Sequence, residues 1–221
     1  MSRPLALQSA SSLSFIIISV QRQKMINLPE PAYDGKISVE AALKARKSIR
    51  SYSAEPLLLD DVSQLLWAVQ GISRKNRMRT APSAGALYPL EVYLVAGHVQ
   101  GLQAGIYRYL PHGHELELVE SGDRRRELAI SALHQDCIEK GAIDLVLAGV
   151  YERTSVKYGS RAKRYVHMEI GHAAQNIYLQ AVGLNLGTVV VGAFDDEKVQ
   201  RTLSMGKNEL PLCIMPVGKI L

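Results

Sequence analysis

The chain has 221 residues, 47% apolar and 21% charged, with a formal charge of +5, enough for one domain with its own core and the balance of an ordinary soluble globular protein. Its basic residues are scattered, with short clusters at 74–79 and 124–126; this excludes the long, aromatic-studded basic stripe of a nucleic-acid binder and leaves attraction of small anions as a use for the charge. Cys137 and Cys213 lie far apart without a C-x-x-C, and no P-loop, G-x-G-x-x-G, H-E-x-x-H or G-x-S-x-G occurs, so a zinc ribbon, a redox dithiol and the common nucleotide, zinc-protease and esterase motifs are excluded.

Residues 1–24 contain no acidic residue and one apolar patch, Leu13 to Val20, interrupted by Ser14 and Ser19. The patch falls short of the ~20 residues of a membrane span. Gln21-Arg22-Gln23-Lys24 follows it without a small-residue cleavage site, unlike a signal peptide. Residues 1–24 therefore read as a dispensable extension or an upstream start, with Met25 as the alternative start. Residues 25–221 read as a single domain, and the expected location is cytoplasmic.

Pro29, Pro31 and Gly35 mark an extended lead-in. Ser38 suits the cap of a helix through Ala45, with Glu40 in its first turn. That helix ends in Arg46-Lys47-Ser48-Ile49-Arg50-Ser51-Tyr52. The cations are either ordinary partners of the helix C-terminus or an anion clamp, in which arginine forks and a serine hydroxyl meet a phosphate. After Pro56, Asp60 and Asp61 open a second helix, with Val62, Leu65, Leu66 and Val69 inward and Gly71 closing it. The stretch Ala81-Pro82-Ser83-Ala84-Gly85-Ala86-Leu87-Tyr88-Pro89 is small between two prolines. It is a rigid turn, or a loop kept small so that a planar ligand can lie on its backbone.

Glu91–Val95 reads as a strand, and 105–110 with 115–119 as a hairpin about Pro111-His112-Gly113-His114. Both histidines are expected on the turn surface. A helix over 123–134 and a buried strand over 143–150 follow. From Arg164 the periodic series Val166, Ile170, Ala173, Ala174, Ile177, Ala181 and Leu184 marks a helix buried on most sides, with Gly183 as its stop. Thr188-Val189-Val190-Val191 then reads as a buried strand, and Gly192-Ala193 leaves bare backbone N–H groups at the core's edge. Asp195-Asp196 cap a short helix, and 212–217 is a last strand with Cys213 in the core. Helices and strands mix without βαβ alternation, so the class is α+β.

Three stretches together resemble the nitroreductase family of FMN-dependent oxidoreductases: R-K-S-I-R-S-Y at Arg46, A-P-S-A-G-A-L-Y-P at Ala81 and G-L-N-L-G-T-V-V-V-G-A-F-D-D at Gly183. The second, with the run from Tyr165 to Gln180, looks most like the branch of thiazoline/oxazoline dehydrogenases. The resemblance covers roughly 38–219. It implies a three-layer fold with a mainly antiparallel central sheet flanked by helices, and a homodimer with FMN at the interface. Carried over by motif, Arg46, Lys47 and Ser48 hold the FMN phosphate and Arg50 lies near N1 and C2 of the isoalloxazine. Pro82, Ser83, Ala84 and Gly85 approach from the other subunit, and Val190, Val191, Gly192 and Ala193 line the ring. Lys219 stands in for the basic ligands of a longer tail, and Tyr88 and Tyr158 are candidates for the substrate pocket or the core. Lys47 stands where the family more often has arginine. No side chain acts as nucleophile and no metal is implied; flavin N5 carries the chemistry, and a permanent charge on Arg50 would favour reduction. The implied activity is ping-pong hydride transfer from NAD(P)H to a nitro- or quinone-like acceptor. Azoline oxidation in peptide modification and flavin binding without turnover are the alternatives. No nucleic acid or membrane partner is expected.

Overall fold

The computed structural model describes residues 24–74 and 78–221; the extension over 1–23 lies outside the described residues. Seven strands form the central sheet: β1 (Met25–Asn27), β3 (Leu90–Ala96), β5 (Gly105–Leu110), β6 (Glu115–Ser121), β7 (Ile143–Gly149), β8 (Leu186–Thr188) and β9 (Leu210–Lys219). Their order is β1-β6-β5-β3-β7-β9-β8, and every neighbouring pair is antiparallel. A small parallel pair, β2 (Leu57–Leu58) with β4 (Val99–Gln100), lies apart.

The middle strands are apolar almost throughout because both of their faces are covered. Val92 and Leu94 of β3 oppose Leu147 and Leu145 of β7, and these face helices α2 (Leu59–Gln70) and α6 (Ala162–Gly183). The alternate residues Tyr93, Val95, Val146 and Ile214 turn to the other layer, built by α3 (Arg125–Ser131), α4 (Asp136–Lys140) and α7 (Asp196–Thr202). This period of two, read on both faces, gives the expected three layers. Helix α1 (Val39–Ala45) and helix α5 (Tyr151–Tyr158) pack on α6. Ser38 caps α1 by accepting from Ala41 N at 3.1 Å, and Asp195 caps α7 by accepting from Lys198 N at 3.0 Å.

Several local expectations are corrected. The strand read over 188–191 ends at Thr188, and Val190 is 39% exposed. The register of β8 on β9 resumes only at the bridge between Val191 and Ile214. It places Val189 opposite Pro216, which has no N–H to donate, so the ladder breaks there. Gly183 is the last helical residue of α6, but the left-handed position after it is Asn185 (φ 56°). Gly71 does close α2, as expected: it is the C-cap, extended (φ −64°), with its N–H donating to Trp67 O at 2.8 Å. Helix α5 was not read from the sequence because its one fully buried side chain is Thr154. His114 is not a surface residue: its ring is half-buried between Ser63 Oγ (2.7 Å) and Tyr109 OH (2.8 Å).

Candidate functional site

The first half of the site forms where the chain leaves α1. Arg46, its C-cap, turns extended (ψ 123°), and the following residues run along the end of the sheet. Ile49 N donates to Thr188 O at 2.9 Å. The Ile49 side chain fits where Gly187 has none; a Cβ there would stand 2.7 Å from Ile49 Cγ2. Buried Tyr52 fixes the same segment through its hydroxyl, which donates to Ile49 O at 2.8 Å, and burial holds that phenol well above its ordinary pKa.

Tyr178 of α6 joins this segment to the chain after β8. Its hydroxyl is 3.1 Å from Ser48 Oγ and accepts from Val190 N at 2.9 Å. The Arg46 guanidinium carbon lies 5.1 Å from the Tyr178 ring centroid, a cation–π contact. Arg46, Lys47 and Arg50 form no ion pair among the described residues. Gly192 and Ala193 are exposed, their N–H groups donate to no described residue, and a Cβ on Gly192 would meet nothing within 4 Å. The clamp and the shelf thus adjoin. Tyr178 is not among the residues the sequence singles out; the signal that could have found it is a tyrosine hydroxyl on an otherwise apolar helix, which needs a partner when partly buried. Lys219 reaches the same end of the sheet, where its carbonyl accepts from Ser53 N at 2.9 Å and its ammonium pairs with Glu55 at 3.0 Å.

The second half is the loop before β3. Gly85, Ala86 and Tyr88 all have positive φ (65°, 53° and 47°), a tight path that Ser83 pins by accepting from Tyr88 N at 2.9 Å. Gly85 is close against α5: a Cβ would lie 2.9 Å from Tyr158 OH and 3.1 Å from Lys157 Nζ. Tyr158 stacks edge-on against Tyr165 at 4.9 Å. Tyr88 OH accepts from Arg79 N at 3.2 Å, and the Arg79 guanidinium covers its ring at 4.6 Å. A groove of ≈ 1490 Å³ opens beside this loop, lined in part by Trp67, Met78, Ser83, Tyr88, Asn176 and Gln180. It reaches no residue of 46–50 or 190–193.

Under the loop lies Glu169 of α6, only 2% exposed. Burial raises its carboxyl to about 7, against the opposing pull of Ser83 and Arg79. Tyr178 follows Glu169 by nine positions, which on an α-helix is about half a turn out of phase and about 14 Å along the axis. The two halves therefore mark opposite faces of α6, and within one chain they are not brought together.

A fold of this topology, with this basic clamp beside a bare backbone shelf, is that of the nitroreductases, and the nitroreductase family model matches residues 43–219. The chain belongs to that family, and is an oxidoreductase on those grounds. It is 44% identical over 184 residues to MJ1384 of Methanocaldococcus jannaschii, a protein provisionally named a nitroreductase, covering 83% of this chain and 92% of that one. A crystal structure from Ralstonia eutropha, provisionally titled a nitroreductase, superimposes with a TM-score of 0.80 at 28% identity, over 99% of this chain and 96% of that one. The microcin B17-processing protein McbC of Escherichia coli is 30% identical over 148 residues, 64% of this chain, and the match spans 54% of McbC's length. Among the described residues no helix is long and apolar enough to cross a membrane.

Proposed function

We propose that this chain is an FMN-dependent oxidoreductase that passes electrons from NAD(P)H to a nitro- or quinone-like acceptor. The observation that carries the reading is the junction at Tyr178. It joins Arg46 and Ser48 to Val190, just ahead of Gly192 and Ala193, whose N–H groups donate to no described residue, and Arg46, Lys47 and Arg50 form no ion pair among the described residues. That donor set fits a phosphate at one end and a flat, acceptor-rich ring at the other. Arg46, Lys47 and Ser48 would hold the phosphate, with Lys219 as a further cation. Val190, Val191, Gly192 and Ala193 would line the ring, the last two offering N–H donors. Arg50 would stand at the N1/C2 end, where its fixed charge favours the reduced state. Pro82, Ser83, Ala84 and Gly85 would complete the site from a second copy in a homodimer, since their own chain holds them on the far face of α6. Tyr88 and Tyr158, beside that loop, would line the substrate space. Bound FMN supplies two-electron transfer at N5; the chain supplies binding, orientation and charge.

A second reading, azoline oxidation in peptide modification, is favoured by the likeness to McbC. It also draws on Lys157 and Tyr158, whose Nζ and hydroxyl lie against Gly85; either group would receive the C–H proton only in its deprotonated form. The readings separate in one experiment. Purified protein should be yellow and release FMN on denaturation; protein that stays colourless after FMN is added refutes both. Anaerobic NADH or NADPH should bleach the reductase promptly. Slow bleaching with either donor favours azoline oxidation, and no reduction by any donor leaves a flavin-binding protein without turnover.

A further inference from the structure

The exposed backbone at Gly192 and Ala193 is held by a side chain from another layer of the fold. On one side Val191 exchanges hydrogen bonds with Ile214 at 2.8 and 2.9 Å, and on the other Asp195 N donates to Ser131 O at 2.9 Å. Between these anchors the backbone makes one hydrogen bond among the described residues: Ala193 O accepts from Gln135 Nε2 at 2.9 Å. Gln135 is the N-cap of α4, in extended backbone (φ −75°, ψ 110°), a position where a short side chain ordinarily caps its own helix. Its amide makes no such bond and reaches the shelf instead. The same Nε2 donates to Ala132 O at 3.1 Å, so two acceptors fix the amide group. The connector that presents Gln135 is strained. Leu133 and His134 are both left-handed (φ 58° and 59°), a conformation that suits glycine and not a residue with a Cβ. Burial does not offset the strain, since Leu133 is 66% exposed and His134 is exposed too. The turn, closed by His134 N donating to Ala129 O at 2.9 Å, ends α3 and brings Gln135 to Ala193.

We propose that Gln135 is a positioning residue for the flavin shelf: by holding the Ala193 carbonyl it fixes the direction of the Gly192 and Ala193 N–H groups before a ligand arrives. The inference rests on the reading that this shelf meets the flavin ring. The carbonyl and the N–H of one residue are separated only by φ and ψ. With Val191 and Asp195 anchored, a bond at Ala193 O leaves the three residues between them little freedom to turn. Donors fixed in this way need no reorganisation when charge develops on the ring, and they act more strongly for it. Without Gln135 the same N–H groups would be present but not aimed.

Gln135→Met keeps the length of the side chain and removes its donors. Ala132 O retains the bond from the backbone N of residue 135 at 3.3 Å, and the side chain is only half-buried, so the variant should fold. Nitrogen relaxation in the full chain without FMN is the first measurement. Backbone order parameters of Gly192, Ala193 and Phe194 should be about 0.85 in the wild type and below about 0.6 in the variant. With FMN bound at saturation, anaerobic reduction by NADH or NADPH should slow by about five- to tenfold, the worth of one lost hydrogen bond. FMN affinity, set by the clamp, should change by less than about threefold. The visible absorption bands of the bound flavin, which respond to hydrogen bonding at the ring, should move towards those of free FMN. Low order parameters in the wild type overturn the proposal without any variant. So does a Gln135→Met shelf as rigid as the wild type, or a variant that loses thermal stability while rate and spectrum stay unchanged. If the wild type binds no FMN, the flavin reading fails, and the order parameters still decide whether Gln135 fixes the shelf.

Discussion

Tyr178 tests whether the clamp and the shelf act together. Its hydroxyl is the single polar atom shared by Ser48 and Val190 N, so Tyr178→Phe removes two hydrogen bonds and leaves the ring under Arg46. Because Ser48 and Val190 are exposed, water can replace the lost partner, and the cost to folding should be only about 1 kcal/mol. FMN affinity should fall further, by about tenfold, since the phosphate and ring ends would lose their common anchor. Arg46→Ala and Ser48→Ala should likewise weaken retention, whereas Arg50→Ala should slow reduction at saturating FMN more than it weakens binding. Fluorescence titration with FMN and anaerobic stopped-flow reduction separate these effects. Equal losses of binding and rate in all the variants would refute the assignment of roles.

Strand β7 is the sheet's most buried element, and it carries a carboxyl that its surroundings do not satisfy. Asp144 is fully buried, both of its oxygens lack hydrogen-bond partners among the described residues, and burial holds its pKa well above the ordinary 3.8. The folded state therefore binds a proton that the unfolded chain releases. The stability this confers is complete below about pH 4 and is lost as pH rises towards the folded-state pKa. Asp144→Asn should leave the Tm unchanged near pH 4 and raise it near pH 8; a variant that melts lower than the wild type at pH 8 contradicts this account. Element boundaries were legible where one pattern decided them. The apolar runs of β3, β7 and β9 and the caps at Ser38 and Asp195 were in this class. They were illegible where the cause lay elsewhere in the chain. The break after Thr188 depends on Pro216 across the ladder, and α5 is written in residues that face solvent. In the site, Arg46 to Ser51 stood out by charge, and Pro82 to Gly85 by their small size. Glu169 did not, because a single carboxyl three residues after Val166 reads as an irregularity in an apolar face rather than as a group beneath a loop.

At the scale of the molecule, α6 carries Glu169 and Tyr178 on opposite faces and so separates the clamp from the loop that is proposed to meet the same flavin. One chain can supply each half once; two copies about a two-fold axis would supply both halves twice, making two composite sites. Complementation tests this arrangement. A variant with Arg46→Ala and Ser48→Ala loses the clamp but keeps its loop. A Gly85→Val variant keeps the clamp and spoils the loop, because a β-branched residue is strained at φ 65° and its Cβ would lie 2.9 Å from Tyr158 OH. Each alone should bind FMN poorly. In a mixed dimer, one site receives both damaged halves and the other receives both intact ones. Co-expression in equal amounts should therefore restore about a quarter of the wild-type FMN sites, since random pairing makes half the dimers mixed and each holds one whole site. Restoration should also require exchange of subunits, and so be absent when the two purified variants are mixed under conditions where dimers do not dissociate. If the mixture binds no more FMN than the sum of its parts after co-expression, each site lies within one chain, and the loop 81–88 must reach the clamp by a movement around α6.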